Sequence, residues 1–227
     1  MRTVIACASL RPELTALEPG RFGVEVRFLN QDLHRTPDRL PKKIQEEVDR
    51  AGADGPVVLG YGLCSGGVAG VRAPACGLAV PRVHDCIALF LGSRGAYDRE
   101  FSGHPGTYYL TPGWVEVGQD PLSYMERDYV PRMGREAAEE GLREELLHYT
   151  RIALVQTGTG DEEALRRRAL ENARFLGKEY VEIRGTGRYF DKILAGPYDP
   201  EDFLLVPPGE TVRQTPFLKG GPAAGTS

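Results

Sequence analysis

The sequence lacks any apolar run close to the roughly 18 residues that a membrane-spanning helix requires. Its N-terminus reaches Arg11 and Glu13 after only a few apolar residues, too few for the apolar region of a signal peptide. Lys and Arg are not clustered, and the net charge of -4 is spread along the chain. We therefore expect a cytoplasmic protein that has neither a membrane nor a nucleic acid as a partner.

Cysteine is scarce, with four residues and no Cys-x-x-Cys motif, and no Gly/Ser-rich or Pro-rich linker divides the middle of the chain. In a reducing compartment such thiols are buried, metal-binding or catalytic rather than paired in structural disulfides. A composition of 41% hydrophobic and 26% charged residues is typical of a globular fold. We predict a single α/β domain over residues 1–215, followed by a disordered tail over 216–227 that is rich in Gly, Pro and Ala.

The first third of the chain alternates buried strands with an amphipathic helix. Apolar stretches at Thr3–Ala8, Val24–Leu29 and Val57–Tyr61 predict strands. A stripe at Leu40, Ile44 and Val48 predicts a helix over residues 38–51. Strand, helix, strand is the order of a parallel sheet covered by helices, so the pattern favours a three-layer α/β fold.

The remaining two thirds continue this order. Further strands are predicted at 78–80, 107–110, 152–156, 178–183 and 203–206, and helices at 86–92, 161–176 and 188–194, with two short amphipathic helices within 122–149. A strand leads into a small-residue loop and a helix three times, around Cys7, around Cys64 to Cys86, and around 157–160. This order is compatible with a pseudo-threefold repeat and equally with any doubly wound sheet.

The densest motif is Gly60-Tyr61-Gly62-Leu63-Cys64-Ser65-Gly66-Gly67, which follows a buried strand. Glycines permit a close approach of the backbone, so a ligand or metal could sit on a loop with Cys64 at its crest. The alternative is an ordinary tight turn that holds a buried cysteine.

A second motif is Arg82-Val83-His84-Asp85-Cys86, placed between a strand and an apolar helix. A thiol in the first turn of a helix experiences the positive end of the helix dipole, which favours the thiolate that binds metal or attacks an electrophile. Asp85 is also a candidate helix cap, and Arg82 a candidate surface ion pair.

Three segments, 60–66, 81–87 and 106–114, give the chain a resemblance to the bacterial and archaeal domain-of-unknown-function family 1638, over about residues 3–209. The resemblance implies that Cys7, Cys64 and Cys86 are the family's recurring thiols, whereas Cys76 lies in a variable stretch. It also implies a genomic context near corrinoid-dependent methyl-transfer systems.

Three thiols from separate strand ends could hold a four-iron four-sulfur (4Fe-4S) cluster, leaving one iron open as a Lewis acid. This arrangement is similar to that of quinolinate synthase, an analogy of architecture only. Zinc bound by the three thiols, with His84 as a fourth ligand, is the competing interpretation. A third is a nucleophile elbow at Gly62-Leu63-Cys64-Ser65-Gly66, for which only His84, His104 or His148 could serve as base.

We therefore predict an iron-sulfur enzyme of lyase type, acting on a small anionic substrate by dehydration or desulfuration. The metal ligands are Cys7, Cys64 and Cys86, with His84 as acid or base, Arg82 as anion binder and Asp85 beside them. Substrate contacts are expected from other loop residues at the strand ends, namely Tyr61, Ser65, Tyr109, Thr111, Thr157 and Gly158. The first alternative is a non-catalytic metal- or corrinoid-binding accessory protein of a methyl-transfer system. The second is a zinc- or cysteine-dependent hydrolase.

Overall fold

The structure, a computed structural model, describes residues 1–36, 38–52 and 54–217. Its strands are β1 Arg2–Cys7, β2 Val24–Leu29, β3 Val57–Gly60, β4 Leu78–Pro81, β5 Thr107–Leu110, β6 Arg151–Gln156, β7 Glu179–Arg184 and β8 Phe203–Val206.

Ten α-helices are assigned in the described residues, together with 3-10 turns and one π-helical segment. The α-helices are α1 Arg11–Ala16, α2 Leu40–Asp49, α3 Ile87–Phe90, α4 Arg94–Gly103, α5 Pro112–Glu116, α6 Pro121–Tyr124, α7 Val130–Met133, α8 Arg135–Glu145, α9 Glu162–Leu176 and α10 Arg188–Ala195. The 3-10 turns are Ala8–Leu10, Pro19–Phe22, Gln31–Arg35, Cys64–Gly66 and Thr215–Phe217, and the π-helical segment is Met125–Tyr129. None of the helices in the described ranges is long and apolar enough to span a bilayer.

The strands form two sheets, one of five strands and one of three, and helices lie on both sides. The predicted α/β class with mainly parallel strands is therefore confirmed. The sheets do not divide into three equivalent units. The segments around Cys7 and around Cys64 to Cys86 share one sheet, and residues 157–160 follow a strand of the other sheet. Strand-loop-helix order recurs in any doubly wound sheet, so it did not require three equivalent units.

By their contacts the described residues group into two compact units, one within residues 1–97 and 186–217 and one of residues 98–185. The first unit holds the sheet β2-β1-β3-β4-β8, in which β8 pairs antiparallel to β4 and the other pairs are parallel. Its central strands β1, β3 and β4 are almost entirely buried. Burial on both faces explains why they are continuous apolar runs rather than alternating ones.

The second unit holds the parallel sheet β5-β6-β7. Its longest helix, α9, begins where Asp161 accepts hydrogen bonds from the backbone N–H groups of Glu163 and Ala164, each at 3.1 Å, and ends at Gly177 with φ of 65°. Both ends were predicted, because an Asp cap and a left-handed glycine are local signals.

The segment 122–149 departs from the predicted two helices. It contains all of α6 except its first residue, Pro121, and then the π-helical segment, α7 and α8. Pro131 lies in the first turn of α7, and Gly134 separates α7 from α8 with φ of 81°. Proline and a left-handed glycine each interrupt helical hydrogen bonding, so the segment forms more and shorter pieces.

The predicted tail falls mostly on residues 218–227, which lie outside the described residues. Its first two residues, Pro216 and Phe217, belong to the last 3-10 turn, where Phe217 is buried.

Candidate functional site

The candidate site lies at the carboxyl ends of β1, β3 and β4, three parallel neighbours in the first sheet. Cys7 is the last residue of β1, and β3 ends at Gly60, just before the loop that holds Cys64. The chain after β4 leads to Cys86 at the start of α3. Parallel strands end at the same edge of their sheet, so this topology brings three distant cysteines to one edge.

Cys64 and Cys86 are in direct contact, with their Sγ atoms 3.5 Å apart. Two backbone hydrogen bonds join the segments that hold them: Leu63 N–H donates to the Val83 carbonyl at 2.9 Å, and Cys64 N–H donates to the His84 carbonyl at 3.0 Å. Because these bonds fix one segment against the other, the thiol pair is set by the backbone.

Gly62 permits this close approach. A Cβ atom at Gly62 would lie 2.9 Å from the Asp85 backbone and from the Val83 carbonyl oxygen, closer than real Cβ contacts. Any other residue would push the two segments apart.

The backbone is unusual at the crest of the loop. Cys64 and Ser65 have φ of 48° and 56°, the left-handed region that non-glycine residues rarely adopt. Two consecutive L-residues in this region cost about 1 kcal/mol each or somewhat more. Strain of this kind concentrates at functional sites, where surrounding contacts hold it in place.

Cys7 lies in a polar cluster of its own at the end of β1. Its buried thiol donates to Gln31 Oε1 at 2.6 Å and accepts from the Ser9 hydroxyl at 3.1 Å. His34 Nε2 lies 3.5 Å from the same sulfur. Burial lowers the pKa of His34, so its ring is neutral at pH 7.

The electrostatics of the buried thiols favour the protonated form. Burial raises the pKa of Cys7 to about 12, the negative charge of a Cys86 thiolate adds to this, and hydrogen bonds with Ser9 oppose it. The pKa of Cys86 is raised well above its usual range, first by the hydrogen bond with the Cys64 thiol and then by burial. A bound cation would reverse this preference, because thiolates need a positive partner in a buried site.

Tyr61 directly follows β3, at the start of the loop that holds Cys64. Its side chain is fully buried, and its hydroxyl has no hydrogen-bond partner in the part of the chain that the structure describes. Burial raises the pKa of Tyr61, and the charges of Cys7, Cys86 and Cys64 raise it further. A buried hydroxyl without a partner is rare in native proteins, so the Tyr61 hydroxyl is an unusual feature of this region.

The donor set fits a metal only in part. Thiolates are the soft ligands that zinc and iron-sulfur clusters prefer. However, no group of three or more His, Cys, Asp and Glu side chains among the described residues is arranged to hold an ion as it stands. The Cys64 and Cys86 sulfurs contact each other, whereas the Cys7 sulfur contacts Gln31 and Ser9. A centre shared by all three thiols would therefore need to contain more than one atom, or Cys7 would need to move.

In the motif Arg82 to Cys86, the side chains of Arg82, His84 and Asp85 have surroundings that differ from those of Cys86. Asp85 Oδ1 accepts from the N–H of Ile87, the first residue of α3, at 2.9 Å, although the N-cap position of α3 is Cys86 and not Asp85 as predicted. The Arg82 guanidinium donates to the carbonyls of Pro200 at 2.7 Å and Pro216 at 3.4 Å. The His84 ring is 61% exposed, with Nδ1 3.9 Å from Asp85 Oδ2. Within this motif, Cys86 is the residue whose side chain contacts the side chain of another predicted metal ligand, Cys64.

Four predicted substrate contacts belong to the second unit, at the ends of β5 and β6. Tyr109 lies within β5, and the Thr111 hydroxyl accepts from Trp114 N–H at 3.4 Å and caps α5. The hydroxyls of Thr157 and Thr159 lie 2.9 Å apart. Gly158 has φ of 81°.

The loop of residues 157–160 is poorly suited to an anion. Its helix, α9, already has Asp161 as cap and Glu162 and Glu163 in the first turn. These three carboxylates complement the helix dipole themselves and would repel a bound anion.

Gln31 and His34 were not among the predicted site residues. Both lie on the 3-10 turn that follows β2. Since β2 pairs in parallel with β1, and Leu29 is opposite Cys7, this turn leads away from the same sheet edge. The sequence signal for these two residues is a polar turn directly after a predicted strand. A prediction based on glycine-rich loops does not include such a turn.

Comparison with known proteins identifies the family of this chain and nothing further. Neither the curated proteins nor the solved structures gave a match. One family model, described as a protein of unknown function (DUF1638), matches residues 28–194. That range includes Cys64 and Cys86 but begins after Cys7. Since it spans well over half of the chain, this protein belongs to the DUF1638 family.

Proposed function

We propose that Cys7, Cys64 and Cys86 hold a 4Fe-4S cluster in an enzyme of lyase type that acts on a small anionic substrate. The observation that carries the proposal is Tyr61, whose buried hydroxyl has no partner within the described ranges and whose pKa responds to all three thiols. A polyatomic centre between the thiols would bridge Cys7 to the Cys64–Cys86 pair and give the phenol an acceptor.

When bound through three thiolates, a cluster of this kind supplies an open iron that acts as a Lewis acid. The residues around it have supporting roles. The raised pKa of Tyr61 keeps its hydroxyl protonated, so it would be available as a hydrogen-bond donor to a bound group. Ser9 donates to the Cys7 sulfur and stabilises its charge. His34, neutral and 3.5 Å from that sulfur, is the histidine best placed to accept or return a proton during dehydration or desulfuration.

Zinc is the second candidate, and the Cys64–Cys86 distance favours it. Two thiolates at about 2.3 Å from one tetrahedral zinc ion lie roughly 3.8 Å apart, close to the observed 3.5 Å. In this case Cys7 or His34 would supply a further ligand, and the enzyme would be a hydrolase.

The experiment is metal analysis of protein purified without oxygen and reconstituted with iron and sulfide. We expect about four iron and four sulfide per chain, with broad absorbance near roughly 400 nm. Alanine variants of Cys7, Cys64 and Cys86 should each lose most of the iron, and Cys76→Ala is the matched control that should retain it. Stoichiometric zinc without colour would replace the iron assignment, and equal metal content in all four variants would contradict a centre on these thiols.

Turnover then separates an enzyme from an accessory protein. A lyase should release product from small hydroxy or thiol carboxylic acids repeatedly, and Cys64→Ala should abolish this while the fold is retained. Stoichiometric binding of metal or corrinoid without turnover, followed by transfer to a methyltransferase, would instead identify a carrier.

A further inference from the structure

Independently of any metal, we propose that Cys64 and Cys86 form a reversible intramolecular disulfide by exchange with a small-molecule disulfide. The two sulfurs lie 3.5 Å apart, and a disulfide bond is about 2.05 Å long. The gap of roughly 1.5 Å is small enough to be closed by rotation of the side chains.

The backbone supports this pairing. The bonds from Leu63 N–H to the Val83 carbonyl and from Cys64 N–H to the His84 carbonyl hold the two segments side by side. Gly62 makes room for this contact, because a Cβ there would meet the Asp85 backbone. The thiols are therefore held together before oxidation, and the closure of the 22-residue separation requires little further ordering.

The two thiols differ in access, as an exchange reaction requires. Cys64 is partly exposed, whereas Cys86 is buried. The outer thiol meets the external disulfide, and the inner thiol lies behind it, within reach of the sulfur that has reacted. This is the arrangement of an attacking and a resolving cysteine.

The chemistry balances with glutathione disulfide as the oxidant. The Cys64 thiolate attacks one glutathione sulfur, the S–S bond of glutathione breaks, and the first glutathione leaves and takes up a proton. The Cys86 thiol then gives up its proton to solvent, and the resulting thiolate attacks Cys64 Sγ. The bond between Cys64 and glutathione breaks, and the second glutathione leaves and takes up a proton. The two cysteine sulfurs lose two electrons in total, and the two glutathione sulfurs gain them.

Cys7 and Cys76 provide internal controls. The Cys7 thiol is buried and donates to Gln31 Oε1. Cys76 is partly exposed, like Cys64, and its sulfur contacts the carbonyls of Gly52 at 3.8 Å and Gly77 at 3.9 Å. Exposure alone would make Cys64 and Cys76 equivalent, whereas proximity to a second thiol distinguishes Cys64.

The test is cysteine mapping of metal-free, reduced protein after incubation with glutathione disulfide and alkylation of the remaining thiols. Trypsin places each cysteine on its own peptide: Cys7 on residues 3–21, Cys64 on 51–72, Cys76 on 73–82 and Cys86 on 83–94. We expect a cross-link between residues 51–72 and 83–94, a loss of about 2 Da from the whole chain, and reversal by dithiothreitol. Cys7 should be recovered alkylated, without a cross-link.

Variants separate the attack of Cys64 on glutathione disulfide from the later attack of Cys86 on Cys64. Cys86→Ser should accumulate a glutathione adduct on Cys64 that the wild type resolves, whereas Cys76→Ser should form the cross-link like the wild type. Recovery of Cys64 and Cys86 as alkylated thiols in the oxidised wild type, or a cross-link that involves Cys7 or Cys76, would overturn the proposal. Because the protein is metal-free, this result is independent of whether the reconstituted protein binds iron or zinc.

Discussion

Cys64 Sγ and Cys86 Sγ lie 3.5 Å apart, although 22 residues separate them in the chain. Two backbone hydrogen bonds and a glycine create this contact, so it is a property of the fold and not of the side chains alone. Both the metal proposal and the disulfide proposal depend on it, and both can be probed by changing the backbone around it.

Gly62→Ala tests the close approach of the two segments. The added Cβ would meet the Asp85 backbone at 2.9 Å, and we expect a loss of about 1–3 kcal/mol in the free energy of unfolding, as for other overpacked sites. Metal binding and the Cys64–Cys86 cross-link should both decrease. Urea unfolding measures the first effect, and metal analysis and peptide mapping measure the others.

Gly20→Ala is the matched control, because a Cβ there has nothing within 4 Å. It should leave metal content and cross-linking at the wild-type level. If Gly62→Ala behaved like Gly20→Ala, the close approach would not be what brings the thiols together.

Cys7 should make the metal-free, reduced protein sensitive to alkaline pH. Burial raises its pKa in the folded state from 9.0 to about 12, so between these values the unfolded chain loses a proton that the folded protein keeps. The contribution is therefore constant below about pH 9 and is lost as pH rises, by about 1.4 kcal/mol per pH unit.

The measurement is urea unfolding of wild type and Cys7→Ala at several values from pH 8 to 11. Other buried groups contribute to both proteins, so the difference between the two curves isolates Cys7. A difference that did not change with pH would contradict a buried, protonated thiol.

His34 and His84 form a matched pair of histidines. His34 Nε2 lies 3.5 Å from Cys7 Sγ, whereas the His84 ring is 61% exposed. We expect His34→Gln to weaken metal binding by about 10–100-fold, as loss of a supporting partner around a metal ligand does, and His84→Gln to change it by less than about twofold. Competition with a chelator gives both affinities, and the opposite ranking would restore His84 as the histidine of the site.

Asp202 should be a main anchor of the first unit. It is buried and accepts from Arg188 through both guanidinium Nη atoms, from Lys192 Nζ and from the Tyr189 hydroxyl. Burial alone would raise its pKa, but the hydrogen bonds from Arg188 and Lys192 outweigh burial and hold the pKa below its usual range. The stability it contributes is present above the unfolded pKa and is lost as pH falls through the folded pKa.

Asp202→Asn should lower the free energy of unfolding at pH 7 by about 1–3 kcal/mol, because the buried group that accepts hydrogen bonds from the partly exposed Arg188 and Lys192 loses its charge. Unfolding curves at pH 7 and pH 3 measure this, and the difference from wild type should shrink at the lower pH. Asp191→Asn is the control, because Asp191 lies on α10, the helix that holds Arg188 and Lys192. An equal effect of the two substitutions would show that Asp202 has no special role.

Much of the fold could be predicted from the sequence because the signals are local. The strands Val24–Leu29, Thr107–Leu110 and Phe203–Val206 were predicted with the bounds that the structure has. Helix α2 follows its apolar stripe of Leu40, Ile44 and Val48, all buried. The pieces within 122–149 and the antiparallel direction of β8 were not predicted, since they depend on competing helix breakers and on the packing of distant strands.

For the candidate site, the sequence identified the three cysteines and the glycine-rich loop, but it did not identify what surrounds Cys7. Gln31 and His34 approach its sulfur only because β2 pairs with β1, a long-range event that local patterns do not encode. The sequence equally could not distinguish His84, which is exposed, from a buried histidine.

The sequence by itself determined the α/β class, the strand ends near the thiols and the Asp161 cap of α9, because periodicity and capping act over a few residues. Tertiary structure decided that Cys64 contacts Cys86, that Tyr61 is buried beside the thiols, and that the strands divide into two sheets. The reason is physical: strand pairing joins residues that are far apart in the chain, and only the assembled sheet fixes which side chains meet at its edge.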